Sequence, residues 1–416
     1  STRRSDDLPG GPVPAGAPTI HQMRNAARPA PPSAFVIGAG PAGSLLAVLL
    51  ARAGWRVAMA EQHRFPRDKV CGECLSALGV EVLRRAGLAG RVRGHGAIPL
   101  YHTHLHAAGG GSASIPLPRP MWGVSRHVLD QLLLIEARAA GVDVRQPARC
   151  EEVRPAGGVG EEGLGSDARP AVRVRDLLTN AVTEERPDVV VVADGKSALL
   201  AGRSPPPPTG DLGLKVHLTG VDGPGDAIEL FGTTGTYGGL APIEAGRWNA
   251  AFSVPADLVR LHAGDLEMVF ERLVGGNVVL RRRLRNADRA SPILASPLPR
   301  FGVRRDWPAG VIAVGNAAAA LEPIGGEGMG LALRSAELAA EHLTRAAATG
   351  TAFDPVRLQD AFAALWRTRR AACRAAARAV SSGRLGGLAM ELLRHDDRAG
   401  RVALRLMGKA GAGIGG

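Results

Sequence analysis

Ser33-Ala34-Phe35-Val36-Ile37-Gly38-Ala39-Gly40-Pro41-Ala42-Gly43 is the stretch that decides the fold. Ala34 to Ile37 form a short apolar run bounded by small residues, which reads as a buried strand. Residues 41–53 then place Leu45, Leu46, Val48, Leu49 and Leu50 as a helix would, and residues 55–60 read as a second strand ending at Glu61. This is a βαβ unit of the expected ~30 residues, with its glycines at the first turn. Gly38 allows the tight turn, Gly40 lets a pyrophosphate approach the backbone, and Gly43 lets the helix lie close on the strand. The helix N-terminus offers unpaired N–H groups and partial positive charge to phosphates. Glu61 lies 18 residues after Gly43, near the ~20 expected for a carboxylate that accepts ribose hydroxyls. The glycine run alone is weak in a chain with 55 glycines. With strand, helix, strand and acid in place, it reads as a dinucleotide site.

Two further segments repeat the theme. Residues 188–193 are a buried strand ending at Asp194-Gly195-Lys196-Ser197, and residues 311–314 are another ending at Gly315-Asn316. Both put a polar residue and a glycine at the carboxyl end of a strand, where open α/β sheets bind ligands. Pro323-Ile324-Gly325-Gly326-Glu327-Gly328 then feeds a helical run over residues 329–342. A glycine-rich loop at a helix N-terminus supports negative charge.

In this order and at these separations, the three segments resemble the FAD-dependent oxidoreductase superfamily. It includes the aromatic-ring hydroxylases (group A flavoprotein monooxygenases), the geranylgeranyl reductases and the flavin-dependent halogenases. The resemblance implies non-covalent FAD. It assigns Gly38, Gly40, Pro41, Ala42, Gly43 and Glu61 to the ADP part, and Asp194 to the region of the pyrophosphate and pyridine nucleotide. Gly315, Asn316, Pro323, Gly326, Gly328 and Met329 would meet the ribityl chain and the ring, whose reduced form carries charge at N1 and O2. Three more stretches carry the likeness. The loop Arg64-Phe65-Pro66-Arg67-Asp68-Lys69-Val70-Cys71-Gly72-Glu73 is similar to one in the reductase-like branch, where Cys71 would lie near the flavin. Ser125-Arg126-His127-Val128-Leu129-Asp130 resembles the helix whose leading arginine, Arg126, reaches the FAD phosphates. Tyr237-Gly238-Gly239-Leu240-Ala241-Pro242 with Arg247-Trp248-Asn249 resembles the hairpin that faces the flavin, so Cys71, Tyr237, Pro242 and Trp248 are the expected substrate-lining residues. Two departures stand out. Gly315-Asn316 replaces the usual Gly-Asp with a neutral amide, and Ser197 stands one place earlier than usual.

The implied fold is α/β: a Rossmann-like FAD domain with a parallel sheet in ββα three-layer packing, an antiparallel-sheet substrate domain and C-terminal helices. Residues 1–33 are rich in Pro, Gly and Arg without periodicity and read as a disordered leader. Residues 34–94, 121–205 and 301–350 then form a discontinuous FAD-binding domain, residues 95–120 and 206–300 the substrate domain, and residues 351–416 the helical region. The chain of 416 residues has room for two or three domains. No run approaches the ~20 apolar residues of a membrane span. The N-terminus lacks the apolar core of a signal peptide. Four cysteines make no disulfide scaffold, which suits a reducing cytosol.

Cys71-Gly72-Glu73-Cys74 has C-x-x-C spacing, but a structural zinc needs two more ligands, and Cys150 and Cys373 stand alone. A redox dithiol or an incidental second cysteine are the remaining readings, and no metal is expected. His102, His104 and His106 alternate along one strand and share a face. A solvated edge strand is the preferred reading, ahead of cavity-lining polar residues or metal ligands. Lys+Arg number 51 against 39 Asp+Glu, a net charge of +12. Residues 355–416 hold 12 of those cations and 4 of the acids, so an acidic carrier protein or an anionic membrane surface is a possible partner of the C-terminal helices. A solvated cap over the FAD domain is the simpler reading. Nucleic acid is not expected, since no motif supports it. The expected location is cytoplasmic, with peripheral membrane association as the second option.

On function, one dinucleotide fingerprint rather than two implies that NAD(P)H binds only transiently as reductant. The first expectation is an NAD(P)H-dependent monooxygenase of a small apolar aromatic, polyketide or lipid-like substrate. The second is a flavin-dependent reductase that saturates an isoprenoid-like double bond, favoured by the Lys69 to Glu73 loop. The third is a non-catalytic flavoprotein or electron carrier. The Trp-x-Trp-x-Ile-Pro segment of the halogenases is absent, and no side chain stands out as a general base.

Overall fold

The computed structural model describes residues 30–108, 110–157, 168–195, 199–200 and 210–382, with residues 386, 387, 390, 391, 393, 400, 402, 405 and 406 beyond. Lys196, Ser197, the prolines 205–208 and most of the leader lie outside the described residues. The compact unit runs from Pro32 to Gly416.

Five parallel strands form the first sheet, in the order Val311–Ala313, Val189–Val192, Ser33–Ile37, Arg56–Ala60 and Asp143–Arg145. Its three central members are apolar runs, as a sheet covered on both faces requires. Phe35 stands between Val190 and Ala58. Helix Pro41–Arg52 returns across this sheet with Leu45, Leu46 and Leu50 fully buried, each burial contributing roughly 1.5–3 kcal/mol. Helices Arg126–Ala139 and Gly328–Thr349 pack on it. A three-stranded antiparallel sheet (Ala148–Arg154, Ala171–Asp176, Val182–Glu185) joins the same core through Ala148, Val172 and Val174.

The second sheet has nine described strands. Its main path runs Asp288–Arg289, Asp211–Thr219, Trp248–Pro255, Thr236–Pro242, Ala227–Thr233, Ile98–His106, Ser112–Gly123 and Cys74–Leu75. The pairing is antiparallel except where Ala227–Thr233 lies parallel to Ile98–His106, the line at which two distant chain segments meet. One face of the sheet buries Leu214, Val216, Trp248, Ala250, Phe252 and Val254 against helices Leu266–Gly275 and Val278–Arg283. The other carries Ile228, Leu230, Tyr237 and Ala241, in an apolar cluster shared with Cys373, Ala377 and Val380 of helix Pro355–Ser381.

Helix Ala77–Arg85 lies so close on helix Gly328–Thr349 that a methyl on Gly79 would come 2.8 Å from Gly330 Cα. Arg85 clamps the contact with a bidentate bond to Glu337 at 2.7 and 2.6 Å.

The histidine strand corrects the expectation of a solvated edge. Ile98–His106 is paired on both sides. His106 is buried, 3.1 Å from Glu229 Oε1 and 2.7 Å from Ser112 Oγ, and its ring stacks on Phe231. Burial without a partner would cost this ring more than 1 kcal/mol, and Glu229 supplies the partner.

Candidate functional site

Two helix N-termini open into one cavity. At the first, Gly38 has φ +99°, and a Cβ there would strike Ala193 O at 2.7 Å. A Cβ on Gly43 would come 2.0 Å from Gly38 O. Both glycines are therefore required by packing inside the βαβ unit. Gly40 differs: the nearest atom to an added Cβ is Arg126 Nη2 at 3.7 Å, so its backbone faces open space beneath a guanidinium. Gly40 is also the N-cap of helix Pro41–Arg52, which has neither a side-chain cap nor an acid in its first turn. At the second N-terminus, Gly326 turns the chain in the left-handed region (φ +64°), and helix Gly328–Thr349 again starts without a side-chain cap. Four other helices carry such a cap, from Ser125, Asp265, Asn277 and Asp354.

Gly40, Pro41, Ala42, Arg126, Gly315, Asn316, Pro323, Gly326, Gly328 and Met329 all line this single cavity. Two uncapped helix ends are two anion sites. They suit a ligand with a pyrophosphate at one end and a ring that gains negative charge at the other, and the residues present thus fit FAD. Asn316 is exposed in the cavity wall.

The phosphate end is built from paired charges. Arg126 is buried and held by Asp130, Nε to Oδ1 at 2.6 Å and Nη2 to Oδ2 at 2.5 Å. Burial opposes its charge, but the Asp130 carboxylate outweighs burial and raises its pKa. Lys69 also lines the cavity, with Nζ 3.2 Å from where a Cβ on Gly195 would stand. The residue as a whole is half-buried, yet its ammonium is desolvated and faces the Arg126 charge; together these push its pKa down to about 8. Glu61 is buried, accepting from Ala39 N at 2.9 Å and His63 N at 2.8 Å. It pins the glycine turn through one lone pair on each oxygen and leaves the others for hydroxyls.

A buried ionic hub, centred on Glu73, was not legible beforehand. Its Oε1 accepts from Lys215 Nζ at 2.7 Å and from Arg126 N at 2.8 Å, and its Oε2 lies 2.7 Å from His217 Nε2. Asp68 adds a second carboxylate 3.2 Å from Lys215 Nζ. Burial pushes the Glu73 pKa up, but the His217 hydrogen bond and the Lys215 charge outweigh it and hold the group ionised. Asp68, Glu73 and His217 are close enough together to hold a metal ion, but the Lys215 ammonium already supplies the cation. The available signal was Lys215 and His217 inside an otherwise apolar strand, since a buried lysine needs a partner.

Of the four residues expected on the substrate side, Cys71 and Tyr237 line the cavity. Pro242 and Trp248 do not border it. Side chains alternate along a strand, and Trp248 falls on the face packed against the helices. Its neighbour Asn249 points the other way and donates to Cys71 O at 3.1 Å. The Pro242 carbonyl backs onto Gly123, where a Cβ would meet it at 1.9 Å. Gly38, Gly43, Glu61 and Asp194 also stand off the cavity wall, with Gly195 lining it in place of Asp194. None of the four cysteines is in a disulfide. Beyond the ring-facing loop the cavity continues between Ile228, Leu230 and Ile324, an apolar wall with Tyr237 and Ser253 as polar members.

Comparison with known proteins agrees with this construction. A family model described as an FAD binding domain matches residues 33–198. Menaquinone reductase of Mycolicibacterium smegmatis is 28% identical over 79% of this chain and 80% of its own length. Conditioned medium factor receptor 1 of Dictyostelium discoideum is 25% identical over 74% of this chain, which spans 62% of that protein. Among solved structures, the flavin-dependent brominase Bmp2 superposes with a TM-score of 0.74 at 19% identity, over 90% of this chain and 93% of that one. A geranylgeranyl bacteriochlorophyll reductase-like protein of Thermoplasma acidophilum gives 0.71 at 18%, over 91% and 97%. At those identities the structures speak for the fold alone. No helix among the described residues is long and apolar enough to cross a membrane. With the glycine cradle, the two open helix ends and the matched family model in one chain, residues 33–198 are an FAD binding domain, and the chain as a whole has the fold of the flavin-dependent enzymes it superposes on.

Proposed function

We propose that this chain is an FAD-dependent reductase that saturates an isoprenoid-like double bond, with NAD(P)H as a transient hydride source. The observation that carries the reading is the cavity itself. It runs from the ring-facing loop at Pro323–Gly326 into a wall of Ile228, Leu230 and Ile324, with further apolar side chains from Leu105, Ala113, Ile115 and Met390 in the cluster beyond. Such a wall suits a long hydrocarbon and offers few hydrogen-bonding groups for a polar one. The likeness to menaquinone reductase, which extends through both sheets of this chain, supports the same reading and moves it ahead of hydroxylation. Bound FAD would carry the hydride. The chain's own residues would bind it, orient the alkene over it and exclude water.

Hydroxylation of an apolar aromatic or polyketide is the second reading, because an apolar-walled cavity also limits the access of water to oxygen chemistry. The C-terminal helix, with Arg357, Arg367, Arg370, Arg374 and Arg378 along it, supports a further proposal that the protein meets an anionic membrane surface from which an apolar substrate is drawn. The test is anaerobic turnover of the FAD-loaded protein with NADPH and two probes, geranylgeranyl diphosphate and menaquinone-4. Saturated product without oxygen is the expected result. Product formed only when oxygen is admitted, and bearing a new hydroxyl, would refute the reductase reading and establish the second.

A further inference from the structure

Double-bond saturation needs a proton as well as a hydride, and the cavity must contain its donor. Most titratable groups on its wall are already committed. Glu73 is held ionised by Lys215 and His217. Arg126 is tied to Asp130, and Lys69 stands beside it at the phosphate end. Tyr237 is different. It lines the apolar part of the cavity, and its Oη donates a hydrogen bond to Glu322 Oε1. Glu322 immediately precedes Pro323, so this bond joins the substrate sheet to the ring-facing loop.

We propose that Tyr237 and Glu322 are the proton-donating pair of this site, Tyr237 as the catalytic acid and Glu322 as the group that refills it. The proposal rests on the reductase reading. One alkene carbon receives the hydride supplied by bound reduced FAD, and its neighbour receives the proton from Tyr237 Oη. The C=C π bond is lost, two C–H bonds form, and the alkene gains the two electrons that the flavin loses. To deliver that proton the Tyr237 hydroxyl turns away from Glu322 Oε1; the phenolate left behind is reprotonated by the Glu322 carboxyl when that group carries a proton, and Glu322, which is half-buried, recovers it from solvent.

The surroundings raise the pKa of both groups. Burial, then the Glu322 charge and hydrogen bond, raise the Tyr237 pKa against the opposing bond to Ser253, with Cys373 also adjacent. Burial raises that of Glu322, with Asp211 acting in the same direction and the Tyr237 bond and Arg374 acting against it. Both groups therefore hold a proton more tightly than the free side chains do and release it to a stronger base. The carbanion-like carbon formed as hydride arrives is such a base.

The chain has only two tyrosines, Tyr101 and Tyr237, which makes the pair directly readable. In the Tyr101→Phe background, tyrosinate absorbance of the FAD-free full chain reports Tyr237 alone. An ordinary tyrosine ionises near pH ~10. The expected result is no ionisation there, and a shift back toward 10 on adding Glu322→Gln. Ionisation near 10 with or without Glu322 would overturn the pairing. With FAD bound and the same two probes, Tyr237→Phe should lower kcat about 100-fold or more while FAD affinity stays unchanged. Wild-type kcat should fall as pH rises through the raised Glu322 pKa, and Glu322→Gln should remove that limb. A Tyr237→Phe enzyme as fast as wild type would overturn the proposal and leave the reductase reading standing. A wild-type protein that saturates neither probe would overturn both.

Discussion

Lys69 gives FAD binding a pH dependence that the structure sizes. Its ammonium stands beside Arg126 at the Gly40 end of the cavity, with a pKa pushed down to about 8 by burial and then by the Arg126 charge. A pyrophosphate brought to Gly40 reverses that balance. It offers the ammonium a counter-charge and returns its pKa toward the ordinary ~10.4. The sign follows directly: the complex binds the Lys69 proton more tightly than the free protein does, so affinity is fully present below pH 8 and is lost as pH rises above it. With a free pKa of about 8 and a bound one near 10.4, affinity falls about ten-fold from pH 7 to pH 9. That fall is an upper figure, because a half-buried residue retains some solvent screening.

The assay is equilibrium FAD titration of the apoprotein at pH 7, 8 and 9, followed by quenching of flavin fluorescence, together with proton uptake at pH 9. Lys69→Met should bind more weakly at pH 7 and lose the slope. Lys69→Arg, which stays charged, should bind well at all three values. An identical slope in wild type and Lys69→Met would refute the reasoning, since the proton would then belong to another group.

Glu61→Ala should weaken FAD binding and also lower the stability of the FAD-free protein by about 1–3 kcal/mol, because Ala39 N and His63 N both lose their acceptor. Urea unfolding of the apoprotein checks this, and unchanged stability would mean that water replaces the carboxylate. Asn316→Asp should lower the flavin midpoint potential by something on the order of 30 mV, corresponding to about 1.4 kcal/mol for two electrons, since a carboxylate at the cavity wall disfavours the reduced anion. A raised potential in spectroelectrochemical titration would contradict the argument. Glu73→Gln should cost about 3–5 kcal/mol at pH 7, because it leaves the Lys215 charge buried against Asp68 alone. The folded-state pKa of Glu73 is depressed, so its contribution is present above the ordinary ~4.3 and is lost as pH falls through the folded value. The gap between wild type and variant in urea midpoint should therefore close in acid, and a gap independent of pH would place the cost in packing.

The cradle was legible because its signals are local. Strand, glycine turn and helix from Ser33 to Arg52 are contiguous, and each glycine answers a constraint within a few residues or one strand away. The substrate face was legible only in part, because strand parity has a period of two and no anchor in the sequence. The Arg247 to Asn249 stretch identified the right strand, but placing Trp248 in the cavity chose the wrong parity, and Asn249 is the residue on that face. The histidine strand was misjudged for a related reason. Its partners Ala227–Thr233 and Ser112–Gly123 are set by tertiary pairing, and alternation alone does not distinguish an edge from a centre. Glu322 was invisible because its meaning depends on Tyr237, 85 residues earlier.

The Glu73 hub explains how these parts are held in register. Glu73 itself sits at φ +51°, a conformation that non-glycine residues rarely adopt. That strain, together with the desolvation of a carboxylate, is offset by the three donors that meet it. Each comes from a different part of the site. Lys215 and His217 belong to the strand Asp211–Thr219 of the substrate sheet, and the Arg126 amide opens the helix that reaches the phosphate end. Glu73 follows Cys71 in the loop whose backbone Asn249 holds from the sheet. A shift of the substrate sheet relative to the parallel sheet would therefore stretch charged hydrogen bonds inside a dry interior, where they are strongest. The hub fixes the distance between the dinucleotide cradle and the wall that carries Tyr237. In the proposed reaction hydride and proton must reach neighbouring carbons of one substrate, and a rigid ionic junction between the two sheets serves that requirement better than a simpler apolar contact.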